Sequence, residues 1–291
     1  MIPAEFEYYT PTSLDEALAL LHQYGDDAKL LAGGHSLLPI LKLRLSSVRH
    51  LIDLGRIADL AYIKEDKGNL CIGARTTHYE LESSPLFRQK CLLLAECAGL
   101  IGDVQVRNRG TIGGSLAHAD PAADYPAAVL ALEADIQTVS SNAKRSIKAE
   151  DFFIDMLTTA LQPGEIITEV RVASLSANTG GAYLKVPQPA SGFAVVGVAA
   201  MISLDGNGQC AKVRVGVTGA TAKAFRARET EAALTGKTPD ATTLTHAASQ
   251  ATNGIETIGD MFASDEYRAH LVRVYTKRAL AKAAERAKGN A

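Results

Sequence analysis

Apolar positions along the 291-residue chain change period several times, and those changes outline three successive units. In the first, Ser13-Leu14-Asp15-Glu16 has the spacing of a helix capping box. Leu14, Ala17, Leu18 and Leu21 follow at helical intervals, and Gly25 is the expected stop. Lys29-Leu30-Leu31 reads as a short strand, Ser36 to Leu45 as a helix with Pro39 in its first turn, and Leu51 to Leu54 as a buried strand. Residues 1–55 are expected to form one small α/β unit.

A second unit, 56–177, opens on a strand at Leu70–Ala74 and a second capping box at Thr77-His78-Tyr79-Glu80. Cys91 to Leu100 is apolar on nearly every side, which predicts a buried helix. Asp103 to Arg109 is polar; Tyr125 to Ala134 reads as a helix led by Pro126, and Ile136–Ser140 and Glu165–Val172 as strands. The third unit, 178–291, starts at the linker-like Asn178-Thr179-Gly180-Gly181. Its β runs Phe193–Leu204 and Gln209–Thr218 flank Asp205-Gly206-Asn207-Gly208, a hairpin signal. From Arg226 the pattern is helical and ends in Ser264–Lys288, whose inward face is expected to carry Leu271, Val274, Tyr275 and Arg278.

Composition narrows the function. The chain is 47% hydrophobic and 21% charged with a net charge of −2, which gives no electrostatic reason to expect nucleic acid. No apolar run reaches the length of a membrane span, and Met1-Ile2-Pro3-Ala4-Glu5 lacks the features of a signal peptide. A cytoplasmic protein is expected, with docking of a complex on the inner membrane face left open. Cys71, Cys91, Cys97 and Cys210 form no C-x-x-C pair and are expected to be buried free thiols rather than metal ligands. The chain has no Rossmann fingerprint, P-loop or H-E-x-x-H motif.

What remains is a pair of double-glycine loops, Ala32-Gly33-Gly34-His35-Ser36 and Thr111-Ile112-Gly113-Gly114-Ser115. Paired glycines let a ligand approach the main chain, and successive inward N–H groups form an anion nest. Two nests with hydroxyl neighbours at Ser36, Thr111 and Ser115 suit the diphosphate of FAD; two tight turns with no ligand are the alternative. Just beyond, Asp124 either caps the following helix or accepts hydrogen bonds from a flavin or its hydroxyls, while Asp120 is expected to be structural. His35 is expected to shape its loop rather than to bind a flavin covalently.

The strings Ala32–Ser36, Gln105–Ser115 and Asp120–Asp124 resemble the FAD-binding medium subunits of molybdenum hydroxylases, the carbon monoxide dehydrogenase and xanthine dehydrogenase group. The resemblance runs end to end, through Ile2–Phe6, Phe193–Ala199 and Glu266-Tyr267-Arg268. It implies an α+β fold: a PCMH-type FAD-binding domain of two α/β subdomains, then a C-terminal domain with a three-stranded antiparallel sheet and helices. It assigns both glycine loops to the FAD diphosphate, with noncovalent binding. It also implies flavin contacts at Asp124, Ile167, Lys185 and Phe193, although Ile167 and Phe193 also fit a core and Lys185 a solvated strand. Two positions depart from the family pattern: Gly192 stands where an Asp is common, and Phe193 where Tyr is common.

The implied function is electron transfer. A large subunit with a molybdenum cofactor oxidises the substrate, a small subunit with [2Fe–2S] clusters relays electrons to this chain's FAD, and an external acceptor removes them. The assembly implied is a dimer of heterotrimers. Relatives handle carbon monoxide, N-heterocycles, purines and aldehydes, and that choice lies in the large subunit. Two alternatives are a self-contained flavin reductase of the UDP-N-acetylenolpyruvoylglucosamine reductase type and a cofactor-free scaffold.

Overall fold

The computed structural model describes residues 2–289. Strands β1 (Glu7–Tyr9), β2 (Ala28–Leu31) and β3 (His50–Asp53) form a parallel sheet in the order β1-β3-β2. The helix Leu14–Tyr24 connects β1 to β2; Ser13 caps it through the Glu16 N–H, Gly25 ends it, and Ala17, Leu18 and Leu21 turn inward. β2 and β3 run parallel, so their carboxyl ends deliver the first glycine loop and Asp53 to one edge. That edge is where open α/β sheets take ligands.

β4 (Ile63–Asp66), β5 (Asn69–Gly73), β6 (Asp135–Val139), β7 (Lys144–Lys148) and β10 (Ile166–Ala173) build a five-stranded antiparallel sheet, ordered β4-β5-β10-β6-β7. β8 (Phe153–Asp155) and β9 (Thr158–Thr159) form a small hairpin beside it. The third sheet is β11 (Thr179–Pro187), β12 (Ala194–Leu204), β13 (Cys210–Thr218) and β14 (Phe225–Arg226), antiparallel and in sequence order. Its three long strands are the implied three-stranded sheet; the two-residue β14 adds a fourth.

The helices Leu92–Gly99 and Tyr125–Ala131 pack between the second and third sheets. Every residue of Tyr125–Ala131 is buried, and Leu94, Val129, Ile167, Tyr183 and Ala199 belong to one core. The N-terminal and C-terminal halves therefore share apolar contacts. The long helix Asp265–Ala287 covers β11 and β12 from the other side, with Val196, Val215, Leu271 and Leu280 in the core between.

Several elements differ from the sequence reading. The helix expected over Ser36–Leu45 is confined to Leu37–Lys42: Pro39 lies in its first turn as expected, and Arg44 turns left-handed just past its end. The helices expected to reach Leu100 and Ala134 stop at Gly99 and Ala131. The linker-like Thr179-Gly180-Gly181 is the start of β11: a Cβ on Gly180 would overlap the Ala283 carbonyl, so the bare glycine lets the C-terminal helix lie directly on the strand. The buried face of that helix is also rotated. It carries Leu271, Val272, Thr276, Ala279 and Leu280, while Arg278 is exposed and stands over the Tyr275 ring. All four cysteines are buried and free, as expected.

The edge of the third sheet is fixed by a buried ion pair. Arg226 Nε and Nη2 lie 2.6 and 2.7 Å from the two Glu231 carboxylate oxygens, and Glu231 also accepts the Val215 N–H at 2.9 Å. Removing Glu231 leaves the buried Arg226 with only a 3.5 Å carboxylate contact, to Glu133, and takes the acceptor from the Val215 N–H. Glu231→Ala should therefore cost about 3–5 kcal/mol, read as a lowered urea midpoint with an unchanged slope.

Candidate cofactor-binding site

The first glycine loop leaves β2 at Leu31 and enters the Leu37–Lys42 helix. The main-chain N–H groups of Gly33, Gly34, His35 and Ser36 donate to no other described residue. Their carbonyls are engaged instead: Gly34 O accepts the Leu38 N–H and Ser36 O the Ile40 N–H. Gly34 is left-handed, with φ of 78°. The loop thus presents a row of uncommitted donors at a strand end, the geometry of an anion nest. His35 is exposed and its Nδ1 sits 3.1 Å from Gly33 O, so it braces its own loop.

The second loop is built differently. Thr111 is the N-cap of the helix Ile112–His118, and its Oγ1 accepts the Gly114 N–H at 3.2 Å. Ile112 N–H bonds Thr76 O, Gly113 N–H bonds Ala74 O, and Ser115 N–H bonds Thr111 O. The expectation of a second nest of bare amides is corrected: those amides are already spent in holding the helix to the β5 end. What this loop turns outward is the Thr111 main-chain N–H, the hydroxyls of Thr111 and Ser115, and the positive end of a short helix. Gly113 is packed against Ala74, whereas Gly114 is exposed.

The two loops touch. A Cβ on Gly33 would overlap the Arg109 carbonyl and crowd the Gly110 Cα, so glycine is what lets the first loop close on the approach to the second. Between them lies a cleft of about 160 Å³ lined by Ala32, Asp53, Arg75, Asn108, Arg109 and Thr111, with Gly55 and Thr77. Pockets that enclose a whole ligand run to roughly 300–1,000 Å³, so this cleft suits one part of a long one. Asp53 is held by the Gly55 N–H at 2.7 Å and the Tyr8 hydroxyl at 2.5 Å. Arg75 donates to Ile57 O at 2.8 Å. Sequence reading missed Asp53 and Arg75; their signal is position, one at the carboxyl end of a parallel strand and the other just past β5. A larger groove of about 340 Å³ on the C-terminal domain, lined by Leu244, Lys277 and Ala281 among others, touches none of these residues.

Below the second loop the chemistry is buried. His78 lies against Gly110 and its Nδ1 is 3.1 Å from the Tyr125 hydroxyl; burial pushes its pKa down to about 3, so the imidazole is neutral. Asp124 starts the next helix but its side chain does not cap it. The carboxylate instead accepts the Tyr183 hydroxyl at 2.6 Å and lies 2.9 Å from Lys185 Nζ, all three side chains being buried. Burial pushes the Asp124 pKa up to about 6, with Lys185 and Tyr183 pulling it back. Asp120 is structural, accepting the Ala122 N–H at 2.8 Å.

Lys185 is therefore not a solvated strand residue. Its ammonium also donates to Gly192 O at 2.6 Å and so holds the turn that carries Phe193. Gly192 has φ of 74°, which accounts physically for a glycine there. Phe193 is 45% exposed at the tip. Ile167, by contrast, is packed in the shared core at a bulge of β10, one residue from Thr168, whose carbonyl accepts the Ala74 N–H. The structure brings the two glycine loops together, and joins Asp124, Lys185 and the Phe193 turn in a second group. Ile167 sits behind the second loop, linked to it through Ala74.

A three-sheet α+β fold with a dinucleotide-type cradle at the carboxyl edge of its first sheet defines an FAD-binding flavoprotein. Comparison with known proteins is consistent throughout. Residues 4–174 match the family described as FAD binding domain in molybdopterin dehydrogenase, and residues 181–283 the CO dehydrogenase flavoprotein C-terminal domain. The chain is 40% identical over 280 residues to the carbon monoxide dehydrogenase medium chain of Hydrogenophaga pseudoflava, covering 96% of this chain and 97% of that one. It is 38% identical over 288 residues to subunit alpha of the 6-hydroxypseudooxynicotine dehydrogenase complex of Paenarthrobacter nicotinovorans, covering 99% and 97%.

Among solved structures, carbon monoxide dehydrogenase from H. pseudoflava lacking the Mo-pyranopterin moiety superposes with a TM-score of 0.94 at 42% identity, over 97% and 98% of the two chains. Quinoline 2-oxidoreductase from Pseudomonas putida 86 gives 0.92 at 34%, over 99% of each. The chain belongs to this family: it is the FAD subunit of a molybdenum hydroxylase-type oxidoreductase. The C-terminal match leaves the self-contained reductase and the cofactor-free scaffold without support.

Two outcomes follow from the Asp124–Lys185 pair. Lys185→Met strands a buried carboxylate and should cost about 3–5 kcal/mol, and adding Asp124→Asn should recover most of the lost urea midpoint. The folded-state pKa of Asp124, about 6, lies above the ~3.9 of an unfolded aspartate. Its contribution to stability is then full below about pH 4 and is lost as the pH rises through about 6. The midpoint difference between parent and Asp124→Asn should follow that curve.

Proposed function

We propose that this chain is the electron-transferring medium subunit of its complex. It receives electrons from a small [2Fe–2S] subunit, itself fed by a large subunit holding the molybdenum cofactor, and releases them to an external acceptor. The assembly is a dimer of heterotrimers in the cytoplasm. The observation that carries this reading is the end-to-end agreement with medium chains together with the uncommitted amide row at Gly33–Ser36. No helix among the described residues is long and apolar enough to cross a membrane.

FAD, when bound, supplies a ring that takes up electron pairs and passes them on. The chain's own residues do the rest. The amides of Gly33, Gly34, His35 and Ser36 grip the diphosphate from one side, without a covalent bond to His35. The hydroxyls of Thr111 and Ser115, with the helix beginning at Ile112, close on it from the other side; Gly114 keeps that face free of side chains, and Gly113 lets the helix start pack on Ala74. Asp53 offers acceptor oxygens for sugar hydroxyls at the end of β3. Ala32 and the Arg75 and Arg109 side chains line the same cleft. Phe193 covers the ring, and Asp124 and Lys185 act on it through the Gly192 carbonyl. Ile167 backs the site from the core.

The purified chain should carry one FAD, released intact on denaturation, and should not oxidise the complex's substrate by itself with a dye acceptor. Turnover by the lone chain would overturn the division of labour. Gly114 gives the cleaner test of the cradle, since an added side chain there meets only Thr111 Oγ1, whereas one at Gly33 would push the two loops apart. Gly114→Val should keep the parent fold and weaken FAD binding at least tenfold, a loss of about 1.4 kcal/mol. Parent-like stoichiometry and affinity in that variant would end the proposal.

A further inference from the structure

One motif, Glu266-Tyr267-Arg268, is not used by the flavin site. The Arg268 guanidinium is buried under the loop that precedes the last helix. One terminal nitrogen donates to Val195 O at 2.6 Å and to Gly219 O, and the other to the Asp260 carboxylate. Asp260 in turn accepts the N–H groups of Phe262 and Ala263, and the Asp260 N–H bonds Ala263 O. Ile258 N–H bonds Ala220 O, and Ala263 is buried in the core. The loop is thus pinned at both ends by main-chain hydrogen bonds and through its centre by the Asp260–Arg268 pair on its inner side.

Its apolar side chains point the other way. Met261 is 89% and Phe262 56% exposed, with Ile258 and Tyr267 exposed beside them. Apolar side chains held in water this way are the ones a partner's surface gains by covering. The charges on the loop itself are all acidic; the exposed Arg273, which donates to Thr252, stands at its beginning. From Gly254 to Tyr267 the chain carries Glu256, Asp260, Asp265 and Glu266 and no Lys or Arg, and Arg268 offsets only Asp260.

The loop also stands at the flavin end of the third sheet. Val195, gripped by Arg268, is two residues from Phe193, and the neighbouring Ala194 N–H bonds Ala122 O. Gly219, gripped by the same nitrogen, donates its N–H to Pro121 O. Contacts therefore run from the knob, through one guanidinium, to the Pro121–Asp124 segment and the Phe193 turn.

We infer that the Ile258–Phe262 loop is the docking knob for the electron-donating partner subunit, whose contact face carries an apolar recess rimmed by lysine or arginine. This rests on the medium-subunit reading above. Charge complementarity selects a basic rim, the exposed Met261 and Phe262 select an apolar recess, and the shared end of the sheet seats that partner beside Phe193. Arg268 is a positioning residue: it fixes the knob relative to the flavin turn and touches neither cofactor nor substrate.

The test uses the full complex, co-expressed with its iron–sulfur and large subunits and separated by size exclusion at rising dilution. Two variants are compared with the parent: Met261→Asp with Phe262→Ser, and Glu256→Lys with Asp265→Lys and Glu266→Lys. Both are confined to exposed side chains. The expected result is release of the iron–sulfur subunit at least tenfold more readily. FAD content and reduction by dithionite should stay at the parent level.

Parent-like assembly in the charge-reversed variant overturns the inference, even if the apolar variant proves poorly folded. Loss of the large subunit alone, or loss of a self-association between copies of this chain, overturns it as well. FAD content is read separately in the parent, so a failure of the medium-subunit reading would show as a parent chain without flavin and would not be confused with a failed knob.

Discussion

A carboxylate taken out of water must be paired, and in this protein the pairing joins two halves of the chain. Asp124 belongs to the FAD-binding-type half; the Tyr183 hydroxyl and the Lys185 ammonium that hold it come from β11 of the C-terminal half. Leaving that charge alone would cost several kcal/mol, a large share of the 5–15 kcal/mol that holds a typical domain together. The C-terminal sheet therefore docks where those partners sit. Thr218 strengthens the joint by donating to Pro121 O and Ala123 O, and the buried Tyr125–Ala131 helix fills the space behind. The turn bearing Phe193 inherits its position from this joint through Lys185 and Gly192.

The two glycine loops look alike as strings and behave differently as structures. In the first, four successive amides donate to no described residue, while the Gly34 and Ser36 carbonyls serve the following helix. In the second, the amides stitch a helix to β5 through Ala74 and Thr76, leaving hydroxyls and one main-chain donor for a ligand. One side of the cradle is donor-rich, the other anchored in the core, and His78, neutral beneath Gly110, adds no charge to the anchored side.

Much of the fold was readable along the chain. The Thr77 capping box forms as its spacing dictates; Ser13 caps its helix through the Glu16 N–H, but the Glu16 carboxylate turns to the Thr12 N–H and leaves that box half made. The apolar run at Leu92–Gly99 is buried, and the Asp205–Gly208 turn joins two long strands. The readings that shifted did so where packing overrides local preference. Gly180 and Gly181 look like a linker until a helix is laid against them, and the inward face of Asp265–Ala287 turned because a residue such as Val272 packs at no local cost while Arg278 finds water and a tyrosine ring.

By itself the sequence determined most of the helices and long strands, where paired glycines fall, and to which family the motifs belong. These are local or additive properties: capping, periodicity, and side chains absent at fixed positions. Tertiary structure alone decided that one glycine loop keeps its amides free while the other spends them. It also decided that Asp124 is a paired buried charge rather than a cap, and that Asp53 and Arg75 meet the two loops in one cleft. Hydrogen-bond partners and desolvation depend on what arrives from tens of residues away, and no window along the chain contains both members of such a pair.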